Sequence, residues 1–295
     1  MDDYHPEKNK TCQILKDAER GGYGVLATIA YNIENVLGFI RAAEIKRSPL
    51  IIQLFPWAVR FSNGHLVHFA AAAAREASVP IAIHMDHCQD ELLIRHAAAN
   101  LPFDSIMIDL SHCSKEDNLR KTAELVKVCH EHHKSAEAEP GRIEGGEDGI
   151  SNTADLGPLM TTPGEVQDFV DTGVDFLAPS FGNVHGEYGA RGIQLDWERL
   201  DSIQSVAAKG DVRIVLHGVN NFNAELIRRL ISRGVTKVNV NKDILKGYYR
   251  YLEDNVSKVP FTSLMENGVA EVTKGLEIWM DMCLSTGKAP MTASA

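Results

Sequence analysis

Short apolar runs recur along the chain, and most are followed by stretches of helical periodicity. The runs fall at 24–29 (GVLATI), 49–54 (PLIIQL), 80–85 (PIAIHM), 105–110 (SIMIDL), 135–139 (SAEAE), 175–180 (DFLAPS), 212–217 (VRIVLH) and 236–241 (TKVNVN). Their length, β-branched content and bounding Gly, Pro and Asp residues predict strands buried on both faces. Between them, 32–47 (NIENVLGFIRAAEIKR), 115–134 (KEDNLRKTAELVKVCHEHHK) and 223–234 (NAELIRRLISRG) show apolar residues at helical spacing, with Gly234 as the expected C-cap of the last. Alternating strands and helices predict a parallel sheet. Eight such units predict an α/β fold of the closed TIM (β/α)8 barrel type. A doubly wound open sheet is the rival, but no G-x-G-x-x-G follows the first strand.

One segment breaks the rhythm. Residues 140–158 (PGRIEGGEDGISNTADLGP) form a glycine-rich stretch after the fifth strand, too long for a simple connection, and read as a mobile active-site loop. No Pro/Ser/Gly-rich linker divides the chain, so residues 1–295 read as one barrel domain. A C-terminal helix is expected at 260–287, with an apolar face for a second copy, and a disordered tail at 288–295.

Composition narrows the function. The 295 residues are 44% hydrophobic and 24% charged, with a formal net charge of −10. That balance argues against a general nucleic-acid or acidic-membrane binder, which needs clustered positive charge. The five cysteines include no C-x-x-C pair, so neither a disulfide framework nor a thiolate zinc site is expected. The opening MDDYHPEKNK lacks an apolar signal core, and the whole reads as a cytoplasmic protein.

In such a barrel, chemistry gathers at the C-terminal ends of the strands. Asn32 and Gln53 lie near the ends of strands one and two, and His84, Asp86 and His87 end strand three. Asp109, Ser111 and His112 follow strand four, and Glu137 and Glu139 lie on strand five. His185, His217 and the run Asn239, Val240, Asn241, Lys242 belong to strands six to eight. Three imidazoles from three strands with one open position describe a catalytic zinc site, with His87, His185 and His217 as its candidates. Each of the chain's 12 histidines, taken alone, is better explained as a surface or core residue, so the case rests on the joint pattern. His130, His132 and His133, at a helix C-terminus, read as structural, and His84 as a donor behind the site.

The segments IHMDHCQDELLIRHA, SIMIDLSH, AEAEPGRIEGGEDGI, FGNVHGEYG, LHGVNN and GVTKVNVNKDI, in this order between about Thr11 and Tyr251, resemble the class II, metal-dependent fructose-bisphosphate and tagatose-bisphosphate aldolases. The resemblance implies His87, His185 and His217 as ligands of a zinc ion, with Asp109 and Glu139 at a second or alternative metal position, and a monovalent cation nearby. It implies Asp86 as the proton donor and acceptor at the C4 hydroxyl. Glu147, in the loop, would shuttle a proton at the ketone-side carbon. Asn32, Gln53 and Asn239 match substrate-side polar positions. Gly186, Gly218, Val219, Asn220, Val240, Asn241 and Lys242 fall where the barrel would hold a phosphate. A phosphorylated sugar substrate and a homodimer or higher homo-oligomer are implied as well.

The departures lie on the substrate side. Asn220 stands where Ser is expected, Phe55 stands two residues after Gln53 where Ser is common, and Pro140 replaces Leu after Glu139. The Lys common after HG-x-Y is absent from HGEYGARG, where Arg191 or Lys242 would have to substitute. Three rivals therefore stay open. The first is an aldolase acting on tagatose 1,6-bisphosphate or another ketose. The second is a non-catalytic, metal-binding barrel. The third is a Schiff-base aldolase using Lys134, Lys237 or Lys242.

Overall fold

The computed structural model describes residues 3–145, 150–151 and 159–290. Eight strands close into a parallel barrel: β1 (Val25–Ile29), β2 (Leu50–Leu54), β3 (Ile81–Cys88), β4 (Ser105–Ile108), β5 (Ser135–Ala138), β7 (Phe176–Leu177), β9 (Arg213–Leu216) and β10 (Val235–Val240). β6 (Ile150–Ser151) and β8 (Glu187–Tyr188) form a separate two-stranded parallel ribbon, joining the segment after β5 to the one after β7. The helices are α1 (Lys10–Gly21), α2 (Ile33–Lys46), α3 (Pro56–Phe61), α4 (His65–Glu76), α5 (Glu91–Asn100) and α6 (Lys115–Glu131). α7 (Pro163–Val170), α8 (Trp197–Lys209), α9 (Ala224–Ile231), α10 (Lys242–Asn255) and α11 (Phe261–Met282) complete the set.

Strand residues alternate between two cores, as period two requires. Leu26, Leu50, Ile52, Ile81 and Ile83 face the helices, while Val25, Ala27, Ile51, Ala82, Met107, Phe176 and Val215 fill the interior. Cys12, Ile14, Leu15 and Ala18 of α1 join that interior core and close its lower end. Asn9 starts α1 by accepting from the Cys12 N–H at 3.1 Å, and it ties the helix to the barrel floor through Nδ2–H to the Asp104 carbonyl at 2.8 Å. The lower end is therefore plugged, and the open mouth lies at the C-terminal ends of the strands.

Some expectations need correction. The sixth and fourth barrel strands, Phe176–Leu177 and Ser105–Ile108, are shorter than the apolar runs suggested. α9 stops at Ile231 with Ser232 as its cap, and Gly234 sits two residues further on with φ +93°. α11 packs on α2 and α10 through the buried Leu264, Val272, Leu276 and Met280, while Phe261 and Ile278 of the same helix stay exposed. The start of the expected tail is held too, since the Ala289 N–H donates to the Arg47 carbonyl at 2.9 Å and Ala289 is buried. Of loop 140–158, residues 146–149 and 152–158 lie outside the described residues, and Glu147 with them. Among the described residues, no helix is long and apolar enough to cross a membrane.

Candidate active site

The mouth is built around an irregularity in β3. Its pairing with β4 shifts register between Met85 and Cys88, and His87 has φ +48°. A non-glycine residue in the left-handed region is uncommon and is held there by its surroundings. The bulge breaks the alternation that would send neighbouring side chains to opposite faces. As a result Asp86 and His87 both turn into the mouth.

The three histidines converge. His217 Nδ1 lies 3.0 Å from His87 Nε2 and 3.4 Å from His185 Nε2. Ligands about 2.0–2.1 Å from a tetrahedral zinc are separated by roughly 3.3 Å, so this spacing fits one ion. Each ring is also held from behind. The Nδ1–H of His87 donates to Asp109 Oδ2 at 2.9 Å, His217 Nε2 faces Glu137 Oε1 at 3.1 Å, and the Ile143 backbone hydrogen-bonds the His185 ring. Orientation of ligand imidazoles by such outer partners is the usual design of metal centres.

Electrostatics agree with the geometry. Burial holds the imidazoles of His185 and His217 below the usual range, which favours the neutral form a metal needs. Burial acts on His87 in the same direction, but the carboxylates of Asp86, Asp109 and Glu139 outweigh it and push the ring up to about 10. Glu139 is pushed up to about 8 by burial and by Asp109. Its Oε1 accepts from the Ile143 N–H at 2.7 Å, while the buried Oε2 has no hydrogen-bond partner among the described residues. His87, Asp109 and Glu139 offer ligand atoms within 4.8 Å of one another, a second set overlapping the first.

Asp86 is buried beside His87. Its Oδ1 accepts from Gln53 Nε2 at 2.7 Å and from Asn239 Nδ2 at 3.2 Å. Around it open two neighbouring pockets, or lobes, that share His87 and His185 in their walls. The first is lined by Gln53, Asp86, the three histidines, Gly186, Gly218, Val219, Asn220, Asn239, Val240 and Asn241, and by Ile29, which the sequence did not mark. Gly218 has φ +71°, and a Cβ there would meet the Val184 carbonyl at 2.1 Å, so only glycine allows this close approach. Asn220 Nδ2 donates to the Gly186 carbonyl at 2.8 Å and ties the loops after β7 and β9 together. The second lobe, about 230 Å³, is lined by Phe55, Gln89, Ser111, His112, Arg142 and Ile143, with Asp109 and Glu139 at its base.

Two expected residues, Asn32 and Lys242, do not line either lobe. Asn32 caps α2, accepting from the Asn35 N–H at 2.8 Å, and its Nδ2 donates to the Tyr248 hydroxyl at 3.1 Å. Lys242 is the first residue of α10 and is not part of the cavity lining. Lys237 is fully buried against Glu137 at 2.8 Å and lines neither lobe, which disfavours it as a Schiff-base lysine. Sequence reasoning gave Glu137 no role. The signal was its placement two residues before Glu139, on the same face of β5.

A model of the family described as "Fructose-bisphosphate aldolase class-II" matches residues 9–288. The chain belongs to the class II fructose-bisphosphate aldolase family. A Coccidioides immitis protein named "Putative fructose-bisphosphate aldolase" is 47% identical over 294 residues, covering 97% of each chain. A crystal structure of a Coccidioides immitis protein so described superposes with a TM-score of 0.90 at 47% identity, covering 96% of this chain and 98% of that one. The fructose-bisphosphate aldolase of Streptococcus pneumoniae serotype 4 is 32% identical, covering 94% of this chain and 98% of its own. The crystal structure of the YdjI aldolase from Escherichia coli K12 gives a TM-score of 0.83 at 28% identity, with 94% and 98% covered. As a class II aldolase the chain is a metal-dependent carbon–carbon lyase of phosphorylated sugars.

Proposed function

We propose that the chain is a zinc-dependent aldolase that reversibly cleaves fructose 1,6-bisphosphate to dihydroxyacetone phosphate and glyceraldehyde 3-phosphate. The observation that carries this reading is the meeting of three imidazole nitrogens, 3.0 and 3.4 Å apart, beside a buried and oriented Asp86. His87, His185 and His217 would hold the ion, with Asp109 and Glu139 as its alternative holders. Bound there, zinc supplies Lewis acidity toward the ketose oxygens.

The chain's own residues do the rest. Gln53 and Asn239 both donate to Oδ1 of Asp86, which fixes its rotation and leaves Oδ2 for the substrate. Asp86 takes the proton from the C4 hydroxyl as the C3–C4 bond breaks, and the bonding electron pair stays on C3. Glu147, in the role the resemblance gives it, returns a proton to C3. The loops carrying Gly186, Gly218 and Asn220 and the start of α10, where Asn241 offers no side-chain cap, suit an anion through backbone N–H groups. A monovalent cation beside that phosphate, a cytoplasmic setting and a homo-oligomer complete the proposal; light scattering tests the last.

Phe55 favours a second reading of the same chemistry. An aromatic ring walls the lobe that would receive the aldehyde half, where a hydroxyl was expected. Tagatose 1,6-bisphosphate, or a ketose 1-phosphate without the second phosphate, is that alternative. Coupled assays of kcat/KM for the three sugars decide between them. The main reading expects fructose 1,6-bisphosphate to be cleaved fastest, and a tenfold or larger preference for another sugar would replace it.

A further inference from the structure

Beneath the three imidazoles lies a charged group that the proposed reaction does not use. Lys237 on β10 has no solvent exposure, and its Nζ lies 2.8 Å from Glu137 Oε2. The other oxygen of Glu137 faces His217 Nε2 at 3.1 Å. A buried ion pair is a weak source of stability, because desolvation of two charges offsets their attraction, and well-packed apolar replacements are often as good. Its presence under a metal site asks for another reason.

The reason lies in the His217 tautomer. Its Nδ1 faces the nitrogens of His87 and His185 at 3.0 and 3.4 Å, and three nitrogens can share one cation only if none carries hydrogen on that side. The ring hydrogen of His217 must then sit on Nε2. Two groups are within reach of Nε2: Glu137 Oε1 at 3.1 Å, which accepts, and Asn239 Nδ2 at 3.1 Å, which only donates and has Asp86 Oδ1 to donate to. The accepting oxygen is therefore that of Glu137. Glu137 is in turn aimed from its far side, where Lys237 holds Oε2 and His84 Nε2 stands 3.5 Å from the same oxygen.

We propose that Lys237 is a positioning residue for the metal. Through the chain Lys237–Glu137–His217 it keeps the His217 imidazole turned with Nδ1 toward the ion, though the lysine touches neither metal nor substrate. The inference rests on the reading of His87, His185 and His217 as zinc's holders, and assigns the layer behind them.

The test is zinc affinity of the full chain, by competition with a chromophoric chelator, for the natural protein, Lys237→Met, and the double variant Lys237→Met/Glu137→Gln. The glutamine keeps an acceptor for His217 and needs no cation beside it. Lys237→Met is expected to weaken zinc binding about 10–100-fold, the usual cost of losing an outer partner, and the double variant to recover most of that loss. Lys237→Met binding zinc as tightly as the natural protein, or a double variant as weak as the single one, would overturn the proposal. A natural protein that does not bind zinc would instead remove the reading of the metal site itself. If Lys237→Met does not fold, ¹⁵N-histidine NMR of the zinc-loaded natural protein still decides: the proposal requires the hydrogen of His217 on Nε2, and a hydrogen on Nδ1 contradicts it.

Discussion

The two ends of the barrel each bury a polar cluster, and the clusters are finished differently. At the plugged end, Asp175 accepts from the Tyr4 hydroxyl at 2.8 Å and from the Ala136 N–H at 2.7 Å, and pairs with His130 at 3.0 Å. Tyr4 stacks on His130 with ring centroids 3.8 Å apart. Both carboxylate oxygens are engaged there. At the mouth, Gln53 Oε1, Glu139 Oε2 and Asn239 Oδ1 are buried without a hydrogen-bond partner among the described residues, and His84 Nε2 has only the longer approaches to Glu137 and Asp86 at 3.5 and 3.7 Å. An unmade buried hydrogen bond costs about 1–3 kcal/mol, so three of them gathered in one barrel mouth ask for a function.

Mutations at the two ends should separate activity from stability. Asp86→Asn keeps the shape of the mouth but cannot take a proton; cleavage should fall about 10²–10⁴-fold in a coupled assay, with zinc affinity and melting temperature nearly unchanged. A variant retaining a tenth of the activity would break the assignment. At the other end, Asp175→Ala strands Tyr4, His130 and the Ala136 N–H, and should cost about 3 kcal/mol in urea unfolding with kcat per folded molecule intact. Equal loss of kcat would show that the floor is coupled to the chemistry.

Phe55→Ser sharpens the comparison within the mouth. Restoring a hydroxyl to the aldehyde lobe should raise kcat/KM for bisphosphates relative to ketose 1-phosphates by about tenfold, the worth of one charge-assisted hydrogen bond. An unchanged ratio would mean that Phe55 does not meet the substrate.

The smallest effect is in protons. With His87 pushed up to about 10 by the neighbouring carboxylates, the metal-free protein holds a proton there at neutral pH. Zinc binding at pH 7.5 should then release at least that proton, with a further fraction from Glu139, which is pushed up to about 8, read by calorimetry in buffers of different ionisation enthalpy. The sign for stability follows the same shift. The folded-state value lies above the unfolded one near 6.5, so this contribution is complete below about pH 6.5 and is lost as pH rises toward 10. Metal-free protein that gained stability across that window would contradict it.

Much of this was legible in the sequence, for physical reasons. Barrel strands buried on both faces leave continuous apolar runs, and all eight stood out. His217 was legible because it directly follows a strand and precedes a glycine, and His185 because it precedes a glycine in the loop that follows the sixth barrel strand. Asp86 and His87 were both read into the site, but the bulge in β3 that turns these neighbours the same way has no sequence mark. Asn32 was read toward substrate, yet an Asn between strand and helix is first of all an N-cap, and that is where its side chain is engaged. The Lys237–Glu137 pair joins residues 100 apart in sequence, which spacing cannot reveal.

The most direct test of the open mouth is cleavage of fructose 1,6-bisphosphate by protein stripped with EDTA and then reloaded with zinc. The account predicts that stripping abolishes cleavage and that stoichiometric zinc restores it. Undiminished cleavage by zinc-free protein, or none by protein shown to hold zinc, would contradict it: the first would point to chemistry without the ion, the second to a barrel that binds metal and does not cleave this sugar.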